Sequence, residues 1–320
     1  MKLFKLIAAS MLAFGLIAQA HAASYAYITN QGSNDVSVID LSSEQVIATI
    51  PVGKAPVGVA IAPALQQVYI SNVESNSVSI IDMANNATLG EIVLDSTPVG
   101  LALSRDEKTL YVADWFQDRI MAFDTADTRQ HHDIAIGKAP AGMVVSRDGT
   151  RLFVANRDSD DVAVIDTRSL QILSRISVGK HPFGLAISAD GNRVYAVNVY
   201  ANSVSVIDTQ ADKVVATIKV GEHPYCAVVS PDGSRVYVTN TQADSVAVID
   251  AVANTVLATV AVGAFPEGIA YNADSNKIYV ASWFDNTVSV IDATTNQVVG
   301  SIPTGRQSRA FGQFIAVAAH

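Results

Sequence analysis

Residues 224–265 read "PYCAVVSPDGSRVYVTNTQADSVAVIDAVANTVLATVAVGAF", and the pentapeptide "VYVTN" at 236–240 inside this stretch is written again and again along the chain. "YAYITN" ends at Asn30, "VYISN" at Asn72, "LYVAD" at Asp114, "LFVAN" at Asn156, "VYAVN" at Asn198 and "IYVAS" at Ser282. The aromatic residues of these copies, Tyr27, Tyr69, Tyr111, Phe153, Tyr195, Tyr237 and Tyr279, are each 42 residues apart. A constant period of this length marks copies of one supersecondary unit.

One unit holds four short runs rich in β-branched residues, "YCAVVS", "RVYVT", "SVAVID" and "VLATVAV". Turn formers separate them: Pro231-Asp232-Gly233, the polar Thr241 to Asp244, and Ala253-Asn254. No run has helical period or length. Four antiparallel strands per unit make one small twisted sheet, and radial repetition of such sheets is a β-propeller. Proline opens six units, at Pro56, Pro98, Pro140, Pro182, Pro224 and Pro266. Aspartate ends the third run seven times, at Asp40, Asp82, Asp124, Asp166, Asp208, Asp250 and Asp292. The expectation is an all-β, seven-bladed propeller with blades over 56–97, 98–139, 140–181, 182–223, 224–265 and 266–307. The seventh joins 308–320 to 23–55, because the C-terminal "SRAFGQFIAV" fits a first strand and the N-terminal "YAYITN" a second. Strand pairing between the two ends leaves no open seam in the ring.

The first 22 residues read as an export signal. Lys2 and Lys5 give a positive start, Leu6 to Ala18 is apolar but too short to span a bilayer, and Ala20-His21-Ala22 is a small-x-small cleavage site. Cleavage after Ala22 leaves 298 residues, of which seven periods occupy 294, so one domain is expected outside the cytoplasm, in the periplasm. The chain carries 21 basic and 30 acidic residues; Lys2 and Lys5 leave with the signal, giving 19 against 30, or −11. Such a charge repels nucleic acid and anionic membrane, which makes nucleic acid an unfavoured partner. The single cysteine, Cys226, has no partner for an internal disulfide.

The repeated residues that carry this pattern resemble the YVTN-type β-propeller repeat over nearly all of the chain after residue 22. That resemblance implies the seven-bladed fold. It implies no single activity, since the family and its relatives include cell-surface proteins, periplasmic binding proteins and haem-d1-carrying domains of nitrite reductases, with streptogramin lyases and sugar lactonases as more distant propeller enzymes.

Residues shared by all blades are scaffold. The glycine two places after the proline (Gly58, Gly100, Gly142, Gly184, Gly268) belongs on a crowded inner strand. Asp-Gly at 148–149, 190–191 and 232–233 makes hairpin turns, and the strand-ending aspartates are expected to bond to loop amides. His131 and His132 fall near an outer, solvated edge.

A site is sought where the copies differ. The loops between blades and the loops after "YVTN" share one face of the disc. In the first, the residue after the glycine position is Lys54, Ser96, Lys138, Lys180, Glu222, Ala264 and Arg306; the residue after the proline position is Val57, Val99, Ala141, Phe183, Tyr225, Glu267 and Arg309. Five bases and two acids in these columns give a local +3 that would gather an anion. His181, Phe183, Glu222, His223, Tyr225, Cys226 and Glu267 come from the starts of three consecutive blades. Their chemistry suits acid/base work (Glu267, Glu222, His223, His181), or a metal or haem (His181, His223, Cys226). In the second loop set, "WFQD" at 115–118, "VYAN" at 199–202 and "WFDN" at 283–286 bring the only two tryptophans, Trp115 and Trp283, to the same face. They belong to blades on nearly opposite sides of the ring, and either pack between blades or rim a wide surface.

Two readings follow. The first is a non-enzymatic binding or scaffold protein that receives a protein partner, or an anionic or aromatic ligand, through Lys54, Lys138, Lys180, Phe183, Tyr225, Arg306, Arg309, Trp115 and Trp283. The alternative is a haem or quinone redox protein, or a lyase or lactonase-like enzyme, with its site at the channel mouth. No nucleophile motif or cofactor fingerprint decides between them. A third, single-stranded nucleic-acid binding on aromatics and cations, runs against the net charge.

Overall fold

The computed structural model describes residues 24–317, so the signal reading of residues 1–22 and the last three residues lie outside the described part of the chain. Seven antiparallel sheets are arranged in sequence order, six of them simple meanders from an inner first strand to an outer fourth. The blade that contains "VYVTN" runs Pro224–Val229, Arg235–Asn240, Ser245–Asp250 and Thr255–Ala261. Its middle strands are buried almost throughout, whereas the outer strand is mostly exposed and covers only Ala258 and Val260, as expected of a solvated edge. Helical structure among the described residues is limited to two three-residue 3-10 turns, Arg157–Ser159 and Thr241–Ala243.

The ring is closed by the chain's two ends. Ile315–Val317 pairs antiparallel with Ser24–Asn30 and supplies the inner strand of the N-terminal sheet. The incoming segment is less regular than the other inner strands. Phe311–Gly312 pairs in parallel with Gly58 and Val59 of the next blade, and Ser308 bridges to Asn30. The closing strand thus stitches two blades together.

The repeated residues have local jobs. The asparagine that ends five of the second strands is buried and crosses its own hairpin: Asn30 Nδ2 donates to Asp35 Oδ1 at 2.6 Å and to Ser37 Oγ at 2.9 Å, and Asn72 Nδ2 donates to Ser77 Oγ at 3.1 Å and to Ser79 Oγ at 2.9 Å. All seven strand-ending aspartates accept backbone N–H bonds from the turn that follows, for example Asp250 from Val252 and Ala253 at 2.8 Å. The blade at 98–139 carries Asp114 in place of the asparagine, and the loop leading into it carries Asp95 in place of the inter-blade glycine. Arg119 explains both, since its guanidinium binds Asp114 at 2.9 Å, Asp95 at 2.6 Å and Asp133 at 2.8 Å.

Candidate functional site: the inter-blade-loop face

The loops between blades are held by the blade before them. Asp160 Oδ1 accepts from His181 N at 2.9 Å and Asn202 Oδ1 from His223 N at 3.0 Å, and the Oδ1 atoms of Asn34, Asp118, Asp244 and Asn286 accept equivalent backbone bonds. His181 and His223 stand just before the prolines with φ of 53° and 48°, so both imidazoles are set by a left-handed backbone.

From these loops the post-proline column points at the axis and fills it. Val57, Val99, Ala141 and Phe183 are buried in one cluster with Phe311, and Tyr225 and Trp115 pack against it. Phe183 stacks on Tyr225 at 4.3 Å between ring centroids and meets Phe311 at 4.8 Å. The last two members of the column form an ion pair: Arg309 Nε donates to Glu267 Oε2, its Nη2 donates to the Tyr225 hydroxyl at 2.7 Å, and its charge lies 5.8 Å from the Tyr225 ring. One half of the ring is thus aliphatic and the other aromatic and ionic, and together they plug the channel on this face.

This placement revises the picture of an open cationic funnel. Arg309 and Glu267 neutralise each other inside the plug, where burial raises the Glu267 carboxyl against the pull of Arg309, and Arg309 is held charged. Lys54, Lys138, Lys180, Glu222 and Arg306 stand on the exposed rim, with Lys180 Nζ 2.5 Å from Asp160. Cys226 lies beneath the plug, and burial pushes its thiol well above the ordinary range, which leaves it inert. Among the described residues no three His, Cys, Asp or Glu side chains converge as a metal site would require. His181 and His223 instead flank one ring, Tyr200, at 4.2 and 5.3 Å.

A second ring surrounds the plug, made by the residue after each "YVTN" asparagine: Gln31, Val73, Trp115, Arg157, Val199, Thr241 and Trp283. Arg157 is its one charged member, and sequence reading passed over it. Comparison of this whole column, rather than of its aromatic loops alone, would have exposed it. The Arg157 guanidinium lies 5.6 Å from the Trp115 ring and 5.6 Å from the Tyr200 ring, with Nη1 2.5 Å from Asp158. Trp115 leans inward onto Phe183 at 5.8 Å. Across the axis, Trp283 donates to Gln31 Oε1 at 3.1 Å, and Arg309 Nη1 donates to the same oxygen at 3.3 Å. The two tryptophans are therefore ends of one continuous chain of side chains, Trp115–Phe183–Tyr225–Arg309–Gln31–Trp283. Exposed Phe116, Tyr200 and Phe284 stand outside it, at 76%, 55% and 61% of their free surface.

Comparisons with known proteins agree on the architecture. Residues 185–277 match the model of a YNCE-like beta-propeller, and residues 91–171 match that of a lactonase, 7-bladed beta-propeller. Neither covers half of the chain, and among curated proteins none matches it. Solved structures resemble it over most of its length: a functionally unknown protein from Desulfotomaculum acetoxidans at 16% identity and TM-score 0.78, covering 92% of this chain and 98% of that one; Kuenenia stuttgartiensis hydrazine synthase at 21% and 0.75, covering 88% and 99%; and the dihydro-heme d1 dehydrogenase NirN in complex with DHE at 16% and 0.68, covering 89% and 74%. At these identities the likeness is one of fold. The class of protein is the seven-bladed β-propeller.

Proposed function

We propose that this is an exported YVTN-type propeller, periplasmic after cleavage at Ala22, that works as a non-enzymatic binding or scaffold protein and receives a protein partner on its inter-blade-loop face. The observation that carries this reading is the half-exposed array in which Arg157 lies between Trp115 and Tyr200, with Tyr200 stacked on His181. Rigid aromatics and an oriented arginine are the side chains that dominate protein interfaces, and the packed plug closes the channel on this face behind them. Lys54, Lys138, Lys180 and Arg306 around the rim favour an acidic partner and would speed its approach.

The test is native mass spectrometry of the exported protein beside a Trp115→Ala/Arg157→Ala/Tyr200→Ala variant. The wild type carries a defined protein partner that the variant loses, while N-terminal sequencing starts at Ala23. Retention of the same partner by the variant would refute the assignment of the face.

The likeness to lactonase and dihydro-heme d1 dehydrogenase propellers supports a second reading, an enzyme or haem or quinone carrier at the same mouth. It requires Glu267 to leave Arg309 and the plug to open. An absorption band, or a bound cofactor mass in the same spectrum, would favour it.

A further inference from the structure

Beneath the plug the axial channel is open. The inner strands enclose a cavity of about 600 Å³, walled by Leu101, Met143, Leu185 and Ile269 and ended by Phe311 and Cys226. It reaches the surface on the face opposite the plug, where the loops joining first to second strands place Arg105, Glu107 and Arg147 at its mouth. Each first strand pairs on one side with its second strand, and apart from the Phe311–Gly312 contact its other edge turns toward the axis. The walls therefore offer both apolar side chains and strand-edge amides. This volume and mixture suit a small ligand.

The two arginines at the mouth are seated alike. Arg105 Nε donates to Ser146 O at 3.2 Å, and Arg147 Nε donates to Ser188 O at 3.1 Å, one blade further on. Each stem runs over the hairpin glycine of the next blade. A Cβ on Gly149 would lie 3.3 Å from Arg105 Cγ, and one on Gly191 2.9 Å from Arg147 Cγ. The third such glycine, Gly233, has nothing within 4 Å, because its neighbouring blade carries Ala189 in the arginine position. Among the described residues neither arginine makes an ion pair with a carboxylate. Glu107, the acid at the mouth, is committed to Ala64 N and Leu65 N at 3.0 and 3.1 Å. Partial burial and the Arg147 charge both pull the Arg105 guanidinium below its ordinary pKa, a cost that a bound anion would relieve.

We propose that the channel binds a small organic anion from the face opposite the plug: its carboxylate or phosphate sits between Arg105 and Arg147, and its body, bearing an amide or hydroxyl and an apolar end, enters the channel toward Phe311. The pinned Nε atoms leave the Nη groups of both guanidiniums to form charge-assisted bonds to the acid.

Titration calorimetry with hippurate, N-acetylphenylalanine and benzyl phosphate tests this, with acetate as the bare head group. At least one of the three binds the wild type, acetate does not, and Arg105→Gln/Arg147→Gln weakens binding by about tenfold or more with an unchanged circular dichroism spectrum and melting temperature. The Trp115→Ala/Arg157→Ala/Tyr200→Ala variant binds as the wild type does, so this site stands or falls independently of the partner surface. Silence from all three probes, equal binding of acetate, or equal affinity in the double variant would overturn the proposal.

Discussion

The Glu267–Arg309 pair shows what a single departure from the repeat can mean. Both residues sit where the other blades carry Val57, Val99, Ala141, Phe183 and Tyr225, so a charge at either position is tolerable only with its opposite beside it. Arg309→Ala is expected to cost about 3–5 kcal/mol at pH 7, because it strands a buried carboxylate. Glu267 has its pKa raised in the folded protein by burial. A carboxyl of that kind stabilises the fold below its unfolded value and loses that contribution as pH rises, so the deficit of Arg309→Ala shrinks between pH 7 and pH 5. Urea melts at the two pH values check this, and a deficit independent of pH would rule it out. The double change Arg309→Leu/Glu267→Leu should recover most of the loss, since it leaves no buried charge among the aliphatic and aromatic side chains of the plug.

At the level of the strand, the inner edge is where blades meet most closely. Gly100 faces the next blade so tightly that a Cβ would lie 1.9 Å from Ala141 O, and Gly58 and Gly142 have counterparts at 2.3 Å. Gly100→Ala should therefore destabilise by about 1–3 kcal/mol through forced displacement of a neighbouring backbone, read as a lower urea midpoint with an unchanged m-value. Cys226 stands in the glycine column, and Thr239 accepts from Cys226 N at 3.0 Å while donating to Glu267 O at 2.9 Å, the same pair of bonds that Ser71 makes to Gly58 N and Val99 O. The strand pattern itself was plain in the sequence, because alternation and turn residues act locally. The break of the closing strand into Phe311–Gly312 and Ile315–Val317 was not, because it depends on Val59 of another blade.

For the whole molecule, closure is the decisive contact. Residues 306–317 provide the inner strand of one blade, a parallel bridge to the next, the Ala310 N bond to Thr29 Oγ1 at 2.8 Å, and the plug residues Arg309 and Phe311. A chain truncated before Arg306 exposes the inner edges of two sheets, and unpaired edges template association. The expected product is aggregated or quickly cut by protease. A monomeric truncation with the melting temperature of the full chain would contradict the closure.

The sequence by itself determined the blade count, the four-strand meander and the joining of the two ends. A 42-residue period in strand and turn chemistry admits one radial arrangement, since each sheet can bury its faces only against its neighbours. It also determined which columns vary. The tertiary structure decided what those columns do: the post-proline residues meet across the axis and close it, the rim lysines stay in solvent, Arg157 falls between two rings from other blades, and the channel opens on the far face beside Arg105 and Arg147. These outcomes depend on residues that converge from separate blades onto a common axis. A linear repeat specifies each blade's own geometry and is silent about the partners that ring closure brings together.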